Sequence, residues 1–326
     1  MKTLRFFNVT PKAVLGLLCL SLLATNGVTA DGQGIVSLAL NALTHGIPSG
    51  PPRPMTGSEF GKYVAKMDPR EREEAILHQI LAGNVPGFLR KLVPVKLSFQ
   101  SSEGRTMNAT IFAMPEYLAI GTDKDFLRIP MNLYTAAAVA SKMGFVLPTR
   151  KIVDAIYAQA AFHFAPQPMT AGPQMRSTQY YVTHNEKVEE QSRALGVVEG
   201  SLVSGDKKDV VVSNRLERNP GKIAIYGWHK LDGLAIQPLS TVHGACYADY
   251  SHGIRLVSQT MLVDGETKSV DEVLDDPTLS QTISDEGPIP GVQGLLERTG
   301  NEQPCAPISV KPGIRNPLDG VPRLPL

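Results

Sequence analysis

Cysteine and tryptophan are scarce in this chain, with 3 and 1 in 326 residues. So few cysteines exclude a disulfide-dense small scaffold, and the wide spacing of Cys19, Cys246 and Cys305 does not make a zinc cluster built on close cysteine pairs. An excess of one charge is missing as well, since 32 basic residues stand against 31 acidic ones. So balanced a chain carries no electrostatic footprint for neutralising phosphates, which argues against a dedicated nucleic-acid binder. After residue 30 no apolar run approaches the ~18 residues of a bilayer-spanning helix. What remains is 42% hydrophobic, with 29 glycines and 25 prolines. That composition suits a globular, loop-rich protein.

The first 30 residues have the order of a secretory signal peptide. Lys2, Arg5 and Lys12 supply the positive start, 13–24 is apolar, and Val28-Thr29-Ala30 before Asp31 fits a small-residue cleavage site. The apolar run is too short for a membrane anchor, which needs about 20 residues. Leu18 precedes Cys19 where a lipoprotein site would carry a small residue. The expectation is a secreted or periplasmic protein with no membrane span in the mature chain. Cleavage removes Cys19 and leaves Cys246 and Cys305 as an even pair, for which one disulfide is the economical reading. Asn108-Ala109-Thr110 is a glycosylation acceptor pattern if the host is eukaryotic.

Residues 31–56, with Pro48, Pro51, Pro52 and Pro54, read as a Gly/Pro-rich linker, and 304–326 as a Pro-rich extended tail. Between them 57–303 is expected to form one globular domain. Asp68 as N-cap, Pro69 at the first position, Glu71 closing a capping box and Gly83 as a stop predict a helix over 69–82. Further helices are expected at 132–143 and 150–162, and a hairpin joins 93–99 to 107–113. From 209 onward the pattern turns to strands, at 209–213, 222–228, 235–243, 246–250 and 253–263. The fold class read from this order is α+β, with a helical N-terminal half followed by a mainly antiparallel β-rich half.

Chemistry-bearing residues are densest in 241–256. His243, Cys246, Asp249, Ser251, His252 and Arg255 fall there, and Gly244 and Gly253 follow the two histidines. A glycine after a histidine permits close backbone approach to a ligand or an oxyanion; the bland alternative is a buried polar pair in a turn. His243-Gly244 followed by Ser251-His252-Gly253-Ile254-Arg255 resembles the catalytic segment of the L,D-transpeptidases, secreted β-rich enzymes that cross-link peptidoglycan peptides. That family carries His-Gly and then Ser-His-Gly-Cys-x-Arg. Here Ile254 directly follows Gly253, the nucleophilic cysteine is missing, and the interval between the two His-Gly pairs is shorter.

Without a thiol, a neutral histidine can still activate water. His252 is then the expected base, Asp249 its orienting carboxylate if the segment bends, and Arg255 a two-pronged holder of a substrate carboxylate. No cofactor is expected. His243, Asp249 and His252 also make a two-nitrogen, one-oxygen set suited to catalytic zinc, but their spacing matches no strong zinc signature. A nucleophilic Cys246 would require a free thiol.

Other clusters read more plainly. The run 204–209 is a charged, solvated turn, 226–229 a core strand ending in an exposed His229, and 71–74 a polar helix face. His78 is read as solvated, and His45, His163 and His184 as loop residues. Asp123-Lys124-Asp125 lacks the rest of a calcium loop. Two functions from different classes follow. One is a secreted hydrolase or acyl transferase acting on extracellular or cell-envelope peptide-containing substrate. The other is a non-catalytic secreted binding or structural protein with a degenerate site.

Overall fold

The structure, a computed structural model, describes residues 46–101 and 104–292. The leader 1–30, the first part of the linker 31–56, and the tail 304–326 with Cys305 lie outside the described residues, as do Cys19 and His45.

Two capping boxes start the described chain. Thr56 with Glu59 opens α1 (Gly57–Tyr63), and Asp68 with Glu71 opens α2 (Pro69–Leu81). Each box satisfies amide donors that a first helical turn leaves over. The hairpin β1 (Val93–Gln100) and β2 (Thr106–Ala113) pairs in register from Val93 opposite Ala113 to Gln100 opposite Thr106. A shorter hairpin follows, β3 (Ala119–Thr122) with β4 (Asp125–Arg128). Asn132 caps α3 (Leu133–Met143), which stops at Gly144 with φ 71°, a left-handed conformation that glycine adopts without strain. Next come β5 (Phe145–Val146), α4 (Arg150–Gln159) capped by Thr149, β6 (Phe162–His163) and α5 (Thr178–Leu195) capped by Ser177. The remainder is β7 (Val203–Ser204), β8 (Lys208–Val211), α6 (Arg215–Arg218), β9 (Ala224–His229), β10 (Ala235–Ser240), β11 (His252–Gly253), β12 (Val257–Ser258), β13 (Thr260–Val263), β14 (Glu266–Ser269) and α7 (Val270–Asp275).

The larger sheet runs β14-β13-β2-β12-β5, with β1 also paired to β2, and all its pairings are antiparallel. The second sheet runs β10-β9-β8-β11 and is antiparallel except for β11, which joins β8 in parallel. Apolar side chains of α2 (Ile76, Ile80), β2 (Ile111) and α3 (Val139) are fully buried in the core. Among the described residues no helix is long and apolar enough to cross a membrane.

The fold is therefore mixed α+β, but among the described residues the expected division into a helical N-terminal half and a β-rich half does not hold. Strands dominate from Val93 onward, and the longest described helix, α5, lies mid-chain. The reason is non-local pairing: β2 takes β1 from its own hairpin but β12 and β13 from about 150 residues later, a partnership that local periodicity does not register. The stretch expected as a strand at 246–250 is a turn, and 253–263 is broken into β11, β12 and β13. The end of the expected linker packs on the domain, where the Arg90 guanidinium donates to the carbonyls of Ile47 and Pro48. In α2, Arg72 and Glu73 are buried rather than part of a polar face. Arg72 donates to Thr178 Oγ1 and Tyr181 OH, and Glu73 accepts from the Asn132 amide, so both charged groups exchange water for protein partners.

Candidate functional site

The segment expected as a solvated turn, 204–209, is instead threaded through the interior. Ser204, Asp206, Lys207 and Asp209 are buried, and Lys208 is half-buried. Burial is compatible with this composition because the charges meet partners from distant elements. Lys207 Nζ donates to the Tyr250 carbonyl at 2.7 Å and sits 3.2 Å from His184 Nδ1 on α5. Asp209 accepts from Tyr117 OH at 2.8 Å, and Asp206 lies 3.8 Å from Arg128, which also holds Glu116 at 3.0 Å and Glu189 at 2.7 Å. Burial pushes the Asp206 carboxyl up to about 7 and the Lys207 ammonium down to about 8, while His184, buried beside Lys207, is lowered to about 2.

β8 carries this segment to the histidine cluster. Lys208 is the parallel register partner of His252 on β11 and the antiparallel partner of Gly227 on β9. The chain reaches β11 through the turn 241–251, whose backbone is fixed at both ends: Ile223 N–H donates to the His243 carbonyl, and His252 N–H donates to the Asp249 carbonyl. Within this turn His243 stacks on Tyr247, ring centroids 4.1 Å apart and planes 9° apart. His252 lies 6.2 Å from His243 and 5.7 Å from Tyr247, centroid to centroid.

Asp249 is the hub of the turn. Its Oδ1 accepts from the Ser251 hydroxyl at 2.6 Å and the Ser251 amide at 2.8 Å, and its Oδ2 accepts from Tyr247 OH at 2.9 Å. His252 Nε2 is 4.0 Å from the same Oδ2, in ion-pair range but outside hydrogen-bond range. Burial opposes the ionised carboxylate, but His252, the two Ser251 bonds and Lys208 outweigh it and hold Asp249 below the usual carboxylate range. Burial lowers His252 to about 4 despite Asp249, so its imidazole is neutral at neutral pH. Both its ring nitrogens are buried and without a hydrogen-bond partner. His243 is half-exposed, and burial lowers its pKa as well.

The structure thus brings His243, Asp249 and His252 together and adds Tyr247, which sequence reasoning passed over. Its signal was available, because a turn that returns on itself sets residues four apart face to face. Arg255 does not join them. It is fully buried, its guanidinium donates to the carbonyls of Met114 and Val203, its Nε is 4.0 Å from Asp209, and it lies over the Tyr117 ring at 4.3 Å. Both prongs of the expected carboxylate fork are taken by backbone oxygens.

The two glycines also differ. A Cβ on Gly253 would stand 2.5 Å from the buried Tyr117 ring and 2.7 Å from Lys207 Cβ, whereas one on Gly244 would meet nothing nearer than 3.9 Å. Gly253 is there for packing, and Gly244 is the one with open space. Among the described residues no group of three or more His, Cys, Asp and Glu side chains is arranged to hold a metal ion. The His243, Asp249, His252 set is not among such groups, and both Asp249 oxygens already accept hydrogen bonds, from Ser251 and Tyr247.

β9 ends differently from expectation. His229 is 3% exposed, its Nε2 is 3.0 Å from Asp154 Oδ1, and it stacks on Tyr157 at 4.4 Å, so α4 covers the histidine expected in solvent. Trp228 holds φ 55°, an uncommon conformation for a bulky residue that often accompanies functional sites. Its indole Nε1 is buried without a partner, and Lys208 Nζ lies 5.1 Å over its ring. His184, expected in a loop, is fully buried on α5.

Comparison of the chain with family models, with curated proteins and with solved structures found no match.

Proposed function

We propose that the chain is a secreted hydrolase or acyl transferase acting on peptide-containing material of the cell envelope or extracellular space, with His243 as its proton acceptor. The observation that carries this reading is the gathering of His243, Tyr247, Asp249 and His252 in one turn. His243 takes the role first given to His252, because His243 is half-exposed and His252 is fully buried. With its pKa lowered by burial, His243 presents a neutral imidazole at neutral pH.

In the step proposed, His243 accepts a proton from water as the water oxygen bonds to the acyl carbon and the carbonyl electron pair moves onto oxygen. Collapse of the tetrahedral adduct breaks the bond to the leaving amine, which takes the proton back from His243. Tyr247 fixes the imidazole plane by stacking, and Asp249 fixes Tyr247. The open space at Gly244 leaves room for the developing oxyanion. Likeness of 243–244 and 251–255 to the L,D-transpeptidase segment supports the substrate class. Ile254 in place of that family's cysteine is the reason for naming water as nucleophile.

A second reading, a non-catalytic binding protein, draws on the complete burial of His252, Asp249 and Arg255. Mass-spectrometric product analysis of peptidoglycan fragments and model peptides incubated with the mature protein separates the two. Cleaved or exchanged acyl products that disappear in His243→Ala support the enzyme, and retention of fragments with no product supports the binding protein.

A further inference from the structure

Three cations, Lys208, Arg176 and Lys222, flank the histidine turn, and none of them forms a close ion pair among the described residues. Lys208 is half-buried, and among the described residues its ammonium makes no ion pair or hydrogen bond; it lies 5.1 Å over the Trp228 ring, and its charge acts on Asp249, His243 and His252. Arg176 lies with its guanidinium 5.3 Å over the Tyr247 ring, likewise outside any ion pair among the described residues. Lys222, the third, donates to the Val242 carbonyl next to His243. The charges acting on His243 are Asp249, Lys208 and Lys222, and those acting on Tyr247 include Asp249 and Arg176. Asp249, the one carboxylate among them, is 1% exposed and already accepts three hydrogen bonds. Three cations thus stand against Asp249 and, near Arg176, the buried Glu73, which leaves a positive excess about the turn.

A partly desolvated ammonium whose counter-charge, Asp249, already accepts three hydrogen bonds is costly to hold, and an oxyanion arriving from solvent would offset that cost. The ring beneath Lys208 belongs to Trp228, which holds an uncommon positive φ and whose indole N–H is buried without an acceptor. The sequence pointed to Arg255 for holding an acidic group; the structure occupies Arg255 elsewhere and sets Lys208 and Arg176, neither in a close ion pair, beside the turn.

We propose that Lys208, assisted by Arg176, binds an oxyanionic group of the substrate, a carboxylate or a phosphate, beside His243. The inference rests on the reading of the His243 turn as the reaction site. Lys208 is a binding and specificity-determining residue in this scheme, and discrimination falls between substrates that carry the acidic group and those in which it is masked.

The test uses Trp228, the single tryptophan of the chain, as the reporter under Lys208. Tryptophan fluorescence and calorimetry of the mature protein are followed during titration with an N-acetylated dipeptide free acid, with its C-terminal amide, and with inorganic phosphate. The expected result is binding of at least one oxyanion. The free acid should bind about tenfold or more tightly than the amide if the source is a carboxylate, and phosphate should outbind both if the source is a phosphate. Lys208→Met should weaken that binding about tenfold, and Lys208→Arg, which keeps the charge, should restore most of it. Equal affinity in wild type and a folded Lys208→Met, or binding of neither oxyanion, overturns the inference. Turnover that is equal for an acidic substrate and its masked counterpart would also remove it while leaving the proposed reaction standing. Lys208-dependent oxyanion binding without turnover of any peptide would do the reverse.

Discussion

His243 and Tyr247 stack within a single turn of chain, their rings 4.1 Å apart and within 9° of parallel. The stack sets a half-exposed imidazole over a phenol whose hydroxyl donates to Asp249, and the same carboxylate sits 4.0 Å from the buried His252. One acidic group thus organises a surface histidine through Tyr247 and flanks an interior histidine directly.

The interior histidine makes stability depend on pH. His252 titrates at about 4 in the folded chain against an ordinary 6.5, so between those values the unfolded chain binds the additional proton. Stability from this group is complete above about pH 6.5 and is lost as pH falls toward 4. Glu73 and Asp206, both raised to about 7, act in the opposite sense, so the total profile is a sum of opposed slopes. The test is a comparison: denaturant unfolding from pH 7 to 4 should show the decline reduced in His252→Gln by up to about one proton's slope. Identical slopes in the two proteins would contradict a buried, neutral His252.

The two glycines that follow the histidines should respond differently to alanine. Gly253→Ala forces a methyl to 2.5 Å from Tyr117, which is 1% exposed and cannot swing away. Overpacking of this kind costs about 1–3 kcal/mol. Gly244→Ala, with no atom nearer than 3.9 Å, should change the unfolding midpoint little. Equal effects in chemical denaturation would contradict the close packing of β11 on Tyr117.

The cysteine pairing expected from the sequence remains a proposal, since Cys305 lies outside the described residues. A Cys246–Cys305 bond would close a loop of about 60 residues and stabilise by roughly 4 kcal/mol in the chain-entropy picture. Thiol labelling of the unreduced, denatured mature protein should detect no free cysteine. One labelled thiol per cysteine would reject the bond.

Much of the local structure was legible because it rests on local chemistry. The Asp68 and Glu71 box, the helix stop at Gly144, the Thr149 cap and the β1–β2 hairpin follow from neighbours in sequence. Helix α5 was not legible, because its buried positions Thr178, Tyr181, His184, Asn185 and Val188 have helical spacing but few are aliphatic, so the stripe has weak hydrophobic contrast. The charges of 204–209 read as surface because their partners, Tyr117, Arg128, His184 and Tyr250, come from elsewhere in the chain. In the candidate site the clustering of His243, Asp249 and His252 was visible as density along the sequence. The diversion of Arg255 to Met114 and Val203 was not, since no spacing rule tells a guanidinium which carbonyls the fold will set before it.

The central claim is that His243 is the proton acceptor of an acyl-cleaving site, and the most direct measurement is kcat/KM on a peptidoglycan fragment or model peptide for wild type and His243→Ala, with folding of both confirmed by unfolding midpoint. The account predicts a loss of about 10²- to 10⁴-fold in His243→Ala with the midpoint little changed, the range expected for removal of a general base. Full activity in a folded His243→Ala would contradict it.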